Sequence, residues 1–460
     1  MTQGDDQWKE MLRAVLGDQA AEEVIAAMNE QGIDPASLAP GGTMDFSAAL
    51  TQLRSMLSGG GDGPVNWDLA EQVARQTLTT EGVDQLSNAQ VSDSKSHLDL
   101  ASMWLDDVTD IEAVHGPHQA WSRLDWVAHA QSTFRKLTEP VAANLGRAFT
   151  TAMDSQIESM PEEITAMIGG RAGTVMTQMM ASVSGMQYGA ALAKLAQVSF
   201  GSTDTGLPLV EGHTSSLVPA NIAEFAGGLD IPLSEVQLYV AVREQAHARL
   251  FAHSPWLRAY LLDTVAAWAR DITIDMTAVE EQIRSIDFTD QSAMPELDIT
   301  DVFSPASSEN QRAVLTQLET ILALIEGWVT EVTRAATEKH LPASGALAEM
   351  FSRRRATGGP AEVAFGNLVG LELRPRKLRE ATEFWRKLGE DIPARDHYWS
   401  HPDLLPDSEN LDNIDEFLGT AGALDAEIDD LLADIFAETE SGQDPSGPEE
   451  PLPPSPESGD

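Results

Sequence analysis

The stretch Ser234-Glu-Val-Gln-Leu-Tyr-Val-Ala-Val-Arg-Glu-Gln-Ala-His-Ala-Arg-Leu-Phe251 decides how the rest of the chain is interpreted. Apolar residues recur in it every three or four positions, which is the period of an amphipathic α-helix, and Ser234 is suited to cap its first turn. One helix face carries five recurring side chains, those of Val236, Val240, Arg243, His247 and Phe251. Glu244 lies beside this face. The stretch therefore predicts a helix that brings a cation, a carboxylate and an imidazole within about one turn.

The pentad Arg243-Glu-Gln-Ala-His247 differs at one position from the His-Glu-x-x-His motif of zinc enzymes. In that motif two histidines one turn apart bind zinc, and the glutamate polarises a zinc-bound water molecule. Here Glu244 and His247 match the glutamate and the second histidine. Arg243 replaces the first histidine, and a guanidinium has no free lone pair with which to bind a metal. A structural alternative is that Glu244 and His247 form a buried hydrogen-bonded pair.

The remainder of the chain is predicted to be mainly α-helical. Between residues 67 and 167 one amphipathic pattern follows another, and strand alternation hardly appears. Further helices are expected over residues 234–251, 256–274, 310–339 and 376–388. Pro140 and Pro161 are each predicted to open a helix. Residues 201–230, rich in Gly, Pro, Thr and Ser, are expected to form a long connection that either wraps the core or lines a cleft.

Residues 169–201 form the most apolar stretch of the chain. Polar side chains interrupt it before it reaches the length of a membrane span. Its small residues and methionines favour a closely packed buried helix, although a methionine-lined binding groove remains an alternative.

Changes in composition predict three parts of the chain. Residues 1–64 contain short helical patterns and end in the glycine-rich joint Gly59-Gly-Gly-Asp-Gly-Pro64. Residues 65–417 form the helical body. Residues 418–460 are predicted to form an acidic helix followed by a disordered tail, because the tail is dominated by Ser, Gly, Pro and acidic residues.

The charge balance limits the partners of the protein. With 73 acidic and 29 basic residues, the formal net charge is −44, which would repel phosphate backbones and anionic lipid surfaces. Neither nucleic acid nor a membrane is therefore expected as a partner. The basic cluster Arg353-Arg354-Arg355 is expected to neutralise the acidic surface, with an anion-binding pocket as the alternative.

Cysteine is absent, which excludes disulfide bonds, thiolate catalysis and cysteine-bound metals. The first ten residues, MTQGDDQWKE, lack the cationic start and the apolar run of a signal peptide. The cytoplasm is the expected compartment.

Several longer segments resemble those of a bacterial group described as zincin-like, zinc-dependent metalloproteases or hydrolases. The resemblance rests on residues 239–251 with Pro255-Trp-Leu257, and on Gly206-Leu-Pro-Leu209, Leu217-Val-Pro-Ala-Asn221, Gly358-Gly-Pro-Ala-Glu362, Leu368-Val-Gly-Leu-Glu-Leu-Arg-Pro-Arg376 and His401-Pro-Asp-Leu-Leu-Pro406. It covers roughly residues 67–417.

The resemblance implies a mostly helical zincin-like fold, a zinc cofactor and peptide hydrolysis. Carried over residue by residue, His247 is a metal ligand and Glu244 is the general base. A third ligand would come from a later histidine or carboxylate. The nearest downstream acids are Asp263, Asp271, Asp275, Glu280 and Glu281, and the spacing does not decide among them.

Two functional hypotheses follow. The first is a zinc peptidase in which other ligands compensate for Arg243. The second is a catalytically inactive zincin-like protein that binds a peptide or protein as an intracellular scaffold. In the second hypothesis the permanent charge of Arg243 stands where the zinc ion stood and neutralises the same carboxylates.

Overall fold

The computed structural model describes residues 63–82, 85–157, 171–210, 214–271, 308–356, 366, 376–389 and 391–420. Within these residues nearly all regular structure is helical, which confirms the predicted mainly-α class. The predicted N-terminal helices, the helix start at Pro161 and the acidic tail beyond residue 420 lie outside the described residues.

In chain order, the described residues form the helices α1 (Trp67–Glu81), α2 (Asn88–Asp106), α3 (Arg123–Ile157), α4 (Arg171–Val198), α5 (Pro219–Ala226), α6 (Leu233–His253), α7 (Pro255–Arg270), α8 (Glu309–Thr337), α9 (Ser344–Ala356), α10 (Leu378–Leu388), α11 (Ile392–His397) and α12 (Ser408–Asp412). Two 3₁₀ turns, Tyr398–Ser400 and Pro402–Leu404, lie between α11 and α12.

Two short strands pair in parallel, β1 (His118–Ala120) and β2 (Ser215–Leu217), with His118 opposite Ser215. Gly201 adds an antiparallel bridge to Leu217. The sequence patterns did not predict this pairing, because a strand of three residues is too short to show a period of two.

The motif helix α6 lies at the centre of the described fold, packed against α2, α8, α5 and β2. Every residue from 239 to 250 is buried. The sequence pattern suggests a helix with one apolar and one solvated face, but this part of α6 has no solvated face. Its polar side chains must find partners inside the protein, since an unpaired buried polar group is costly.

Helix α4 packs closely on α1, which agrees with the packing expected for residues 169–201. A Cβ atom at Gly189 would lie 2.8 Å from Cβ of Val73, and one at Gly185 would lie 3.3 Å from Cβ of Asn66. Real Cβ atoms almost never show the first distance, and the second is tighter than ordinary van der Waals contact. Glycine at these two positions allows the two helices to approach each other.

Two predicted helix starts were wrong. Helix α3 runs from Arg123 through Pro140 without a break, although proline removes one helical hydrogen bond. Helix α6 begins at Leu233 with Pro232 at its N-cap, and no side chain caps it, so Ser234 does not have the expected role. In both cases the packing of the neighbouring helical turns outweighs the local preference of Pro140 or Ser234 for a helix start.

Among the described helices, α8 is long and apolar enough to cross a membrane by length and composition. In its most apolar window 56% of the residues are buried inside the protein. A helix in the core of a folded domain gives the same signal.

Candidate functional site

Helix α6 directs the side chains of its motif towards different neighbours. Arg243 and His247 lie one turn apart and contact α8, whereas Glu244 contacts residues 202–203 and the strand β2. Arg243, Glu244 and His247 are only 4%, 3% and 2% exposed. Within the described part of the chain, the site is therefore enclosed by protein.

Glu326 of α8 is the centre of a buried ion-pair cluster. Nη2 of Arg243 donates to its Oε1, and Nε of Arg355 lies 3.0 Å from the same oxygen. The guanidinium of Arg243 also lies 5.1 Å from the centre of the Phe351 ring, within the range of a cation–π contact. We call Arg243, Glu326 and Arg355 the arginine clamp. It joins α6, α8 and α9.

The clamp determines the charge of Glu326. Burial by itself raises the pKa of this carboxyl group, but the charges of Arg243 and Arg355 more than offset burial and hold the pKa well below its usual range. Glu326 therefore stays ionised at neutral pH. Two cations share one carboxylate, so the clamp carries a net positive charge.

His247 lies on the second oxygen of the same carboxylate. Its Nδ1 is 3.0 Å from the carbonyl oxygen of Arg243, and because a carbonyl only accepts, Nδ1 must carry a hydrogen. Its Nε2 lies 3.6 Å from Oε2 of Glu326. Nε2 of His247 and Oε2 of Glu326 are both buried, and neither has a hydrogen-bond partner among the described residues.

Glu244 is held in a cage of five donors. Its Oε1 accepts from the backbone N–H and the hydroxyl of Ser202 and from N–H of Ser216, at 3.2 Å for the last. Its Oε2 accepts from Thr203, at 2.7 Å from the hydroxyl and 3.2 Å from the backbone nitrogen. These five contacts engage both carboxylate oxygens of Glu244. Glu244 does not form the alternative pair with His247, because its carboxylate is bound to this cage instead.

Gly201 allows the cage to close. A Cβ atom at this position would collide with Oε2 of Glu244 and with the carbonyl oxygen of Ser216. The carbonyl of Gly201 accepts from Nε1 of Trp126 at 3.0 Å, which fixes the loop from the other side. The connection over residues 201–230 was expected either to wrap the core or to line a cleft. Around Glu244 it wraps the core.

The downstream acids considered as a third ligand do not join His247 where the structure describes them. Asp263 is exposed, and Asp271 accepts from Ser308 at 3.2 Å and from Asn310 at 2.8 Å. The other three acids lie outside the described residues. The carboxylate that does reach His247 is Glu326, about 80 residues further along the chain.

Sequence reasoning missed Glu326, although a signal existed. The segment Ile321-Leu-Ala-Leu-Ile-Glu-Gly-Trp-Val329 holds one carboxylate in an apolar run, and an isolated acid there requires a buried cation. The expectation that the basic cluster neutralises the surface was wrong for two of its three arginines. Arg354 and Arg355 are only 19% and 16% exposed, because they contact Asp204 and Glu326 in the interior.

The chain matches a known protein family over most of its length. Residues 65–418 match the model of the zincin-like metallopeptidase family. This chain belongs to that family. The zincin-like chain also resembles a protein from Chloroflexus aurantiacus whose crystal structure is titled "a putative hydrolase with a novel fold". The two share 19% sequence identity and a TM-score of 0.54, over 78% of this chain and 99% of the other.

That structural likeness supports the fold and nothing more specific. No curated protein matches the zincin-like chain. The family confirms the resemblance inferred from the motif helix and from the segments around it. It also raises the question of whether the residues present here fit a zinc ion.

The residues that the structure describes around His247 do not fit a zinc ion. A catalytic zinc site needs three protein ligands and an open position, and only His247 and Glu326 converge in the described part of the chain. Among the described residues, no group of three His, Cys, Asp or Glu side chains could hold a metal. Two guanidiniums already occupy the other oxygen of Glu326, and their charge opposes a further cation.

We predict that Glu244 has a structural role. Glu244→Gln should lower the free energy of unfolding by about 2–4 kcal/mol, because an amide nitrogen would face donors that now bind a carboxylate. Urea denaturation of the full chain measures this change. Glu349→Gln, an exposed glutamate on α9, should change it by less than about 0.5 kcal/mol. Equal effects of the two substitutions would contradict the cage.

A second prediction concerns acid stability. Because the folded pKa of Glu326 is depressed, its contribution to stability is complete above the ordinary glutamate pKa of 4.5 and declines as pH falls towards the folded value. Glu326→Gln should cost about 3–5 kcal/mol at neutral pH, since it leaves two cations without a counterion. The gap between the wild type and this variant should narrow between about pH 5 and about pH 3. Glu338→Gln, at the exposed end of α8, should show no such gap. If the difference in the free energy of unfolding between the wild type and Glu326→Gln did not depend on pH, the ionised clamp would be refuted.

Proposed function

We propose that this zincin-like protein does not hydrolyse peptides through zinc, and that it binds a peptide or protein partner instead. The observation that carries the proposal is the arginine clamp, in which Arg243 at the first ligand position is bound to the carboxylate that would serve as a ligand. The protein then keeps the family fold and uses the former metal position to hold three helices together.

The state of Glu244 supports the same conclusion. A general base must have a lone pair directed at a water molecule that it can deprotonate. The oxygens of Glu244 are engaged by Ser202, Thr203 and Ser216 on one side of α6, whereas His247 contacts Glu326 on α8. Glu244 and His247, which the family motif would bring to one metal ion, thus lie in separate environments on different sides of α6.

Zinc-dependent peptide hydrolysis is the second candidate. Membership of the metallopeptidase family supports it, as do the two buried atoms that lack a partner among the described residues, Nε2 of His247 and Oε2 of Glu326. For that function a further ligand would have to replace Arg243. The arrangement of the described residues favours the first candidate.

Metal analysis separates the two candidates. Full-length protein purified without chelators or added metal should contain far less than one zinc per chain, measured by inductively coupled plasma mass spectrometry. Arg243→His should create zinc binding, because the introduced imidazole would join His247 and Glu326 as a third ligand. Adding Glu326→Gln to this variant should abolish the binding.

Different results would reverse the conclusion. One zinc per wild-type chain that is lost in His247→Ala would establish a metal site despite Arg243. Cleavage of a denatured protein substrate by the wild type, blocked by a zinc chelator, would establish catalysis. The wild-type measurements stand even if a variant fails to fold.

The charge of the chain suggests the chemistry of the partner. A formal net charge of −44 attracts cationic surfaces and accelerates their association at low salt. We therefore propose that the partner is basic where it contacts this protein.

A binding assay tests this part of the proposal. A labelled lysine- and arginine-rich peptide should bind the full chain in fluorescence anisotropy, and the affinity should fall at least about tenfold when salt rises from about 50 to about 500 mM. A peptide of equal length with glutamate in place of the basic residues is the matched control. Mass spectrometry should recover the bound peptide intact, whereas fragments would favour the peptidase. Equal affinity for both peptides would exclude a basic partner.

A further inference from the structure

Gln245, between Glu244 and His247 in the chain, faces neither the clamp nor the cage. Its side-chain nitrogen lies 2.7 Å from Nε2 of His118 on β1 and 2.9 Å from the hydroxyl oxygen of Ser215 on β2. An amide nitrogen has two hydrogens, so these two contacts use both of them. Its oxygen, Oε1, is buried and has no hydrogen-bond partner within the described part of the chain.

Asp99 on α2 fixes the form of His118. Its carboxylate lies 2.8 Å from Nδ1, and a carboxylate accepts, so Nδ1 carries a hydrogen. In the neutral imidazole Nε2 is then an acceptor, which matches the amide hydrogen of Gln245. Protonation of His118 would place a second N–H at Nε2, and two donors would face each other at 2.7 Å.

Rotation of the amide by half a turn removes this conflict. Oε1 of Gln245 would then accept from Nε2 of His118 and from the hydroxyl of Ser215. The amide nitrogen would take the place of the oxygen that now lacks a partner. Each orientation leaves one amide atom without a hydrogen-bond partner that the described residues supply, so the proton on His118 decides between the two orientations.

Strand β2 and the motif helix α6 supply no charged partner to His118 among the described residues. Strand β2 contributes no charged side chain. Arg249, one turn beyond Gln245 on α6, also faces α2, but it is held by Asp106 at 2.6 Å and by the carbonyl of Ser102 at 2.7 Å. Asp99 is thus the charged side chain in contact with His118 among the described residues.

Two more charged residues lie near this contact in the chain. Lys95, one turn before Asp99, is exposed. Arg123, which follows β1, binds Asn221 and Glu224. The side chains of His118 and Asp99 are 15% and 71% exposed, so protons from solvent can reach the pair.

We propose that protonation of His118 reverses the side-chain amide of Gln245, so that the motif helix senses pH through β1. The same contact reaches the Glu244 cage, because Ser215 binds Gln245 and its neighbour Ser216 donates its N–H to Glu244. These contacts connect the solvent-accessible imidazole of His118 to the buried cage around Glu244.

Nuclear magnetic resonance of the full chain tests the proposal. With ¹⁵N-labelled histidine and glutamine, the side-chain amide of Gln245 should change its shifts with the same midpoint as the His118 ring. Its signal is identified by its loss in Gln245→Leu. The proposal is overturned if the Gln245 amide stays constant while His118 titrates.

Variants of α2 provide a second measurement on exposed positions that should not affect folding. Asp99→Asn removes the carboxylate that accepts from Nδ1 of His118, and any change that it makes in the His118 midpoint should appear equally in the Gln245 amide. Asp93→Asn, at an exposed carboxylate on the same helix near His97, should move neither midpoint. A shift of the His118 midpoint that Gln245 does not follow would also overturn the proposal.

Discussion

The buried charge of Glu326 is the constraint on which the centre of this protein depends. A carboxylate in an apolar helix must be neutralised within contact distance, because a bare ion in the core costs several kcal/mol. Arg243 from α6 and Arg355 from α9 provide that charge. Since each partner comes from a different helix, the requirement for neutrality also fixes how α6, α8 and α9 lie against one another. A zinc ion would meet the same requirement in a different way, with ligands instead of guanidiniums.

The two glutamates of the centre are stabilised by opposite means. Glu326 relies on whole charges, whereas Glu244 relies on the dipoles of backbone N–H groups and hydroxyls. The cage around Glu244 holds Ser202, Thr203 and Ser216 against α6, and Gly201 leaves the space that it needs. The glutamate that the family motif assigns to catalysis thus organises a loop and a strand here, while its position in the motif is kept.

Family membership and site chemistry therefore give different information. The family model covers residues 65–418, and it accounts for the fold. Activity depends on atoms that converge, and the described residues bring together one imidazole, one carboxylate and two guanidiniums. Arginine in place of the motif's first histidine, at position 243, changes the set of ligands strongly. It removes the lone pair that would bind the metal and adds a permanent positive charge. The second arginine at position 355 then makes the centre still less suited to a cation.

The sequence by itself determined the helical class and the motif helix to within a few residues of its ends, and it placed Arg243 at the first ligand position of the motif. Those features depend on periodicity and on the chemistry of one residue type, which are local properties. Only the tertiary structure revealed that Glu326 binds Arg243 and approaches His247, and that a cage of donors surrounds Glu244. The tertiary structure also shows that α3 continues through Pro140 and that Arg354 and Arg355 point towards Asp204 and Glu326. These contacts join residues far apart in the chain, so they are decided by how the helices pack, which local patterns do not encode.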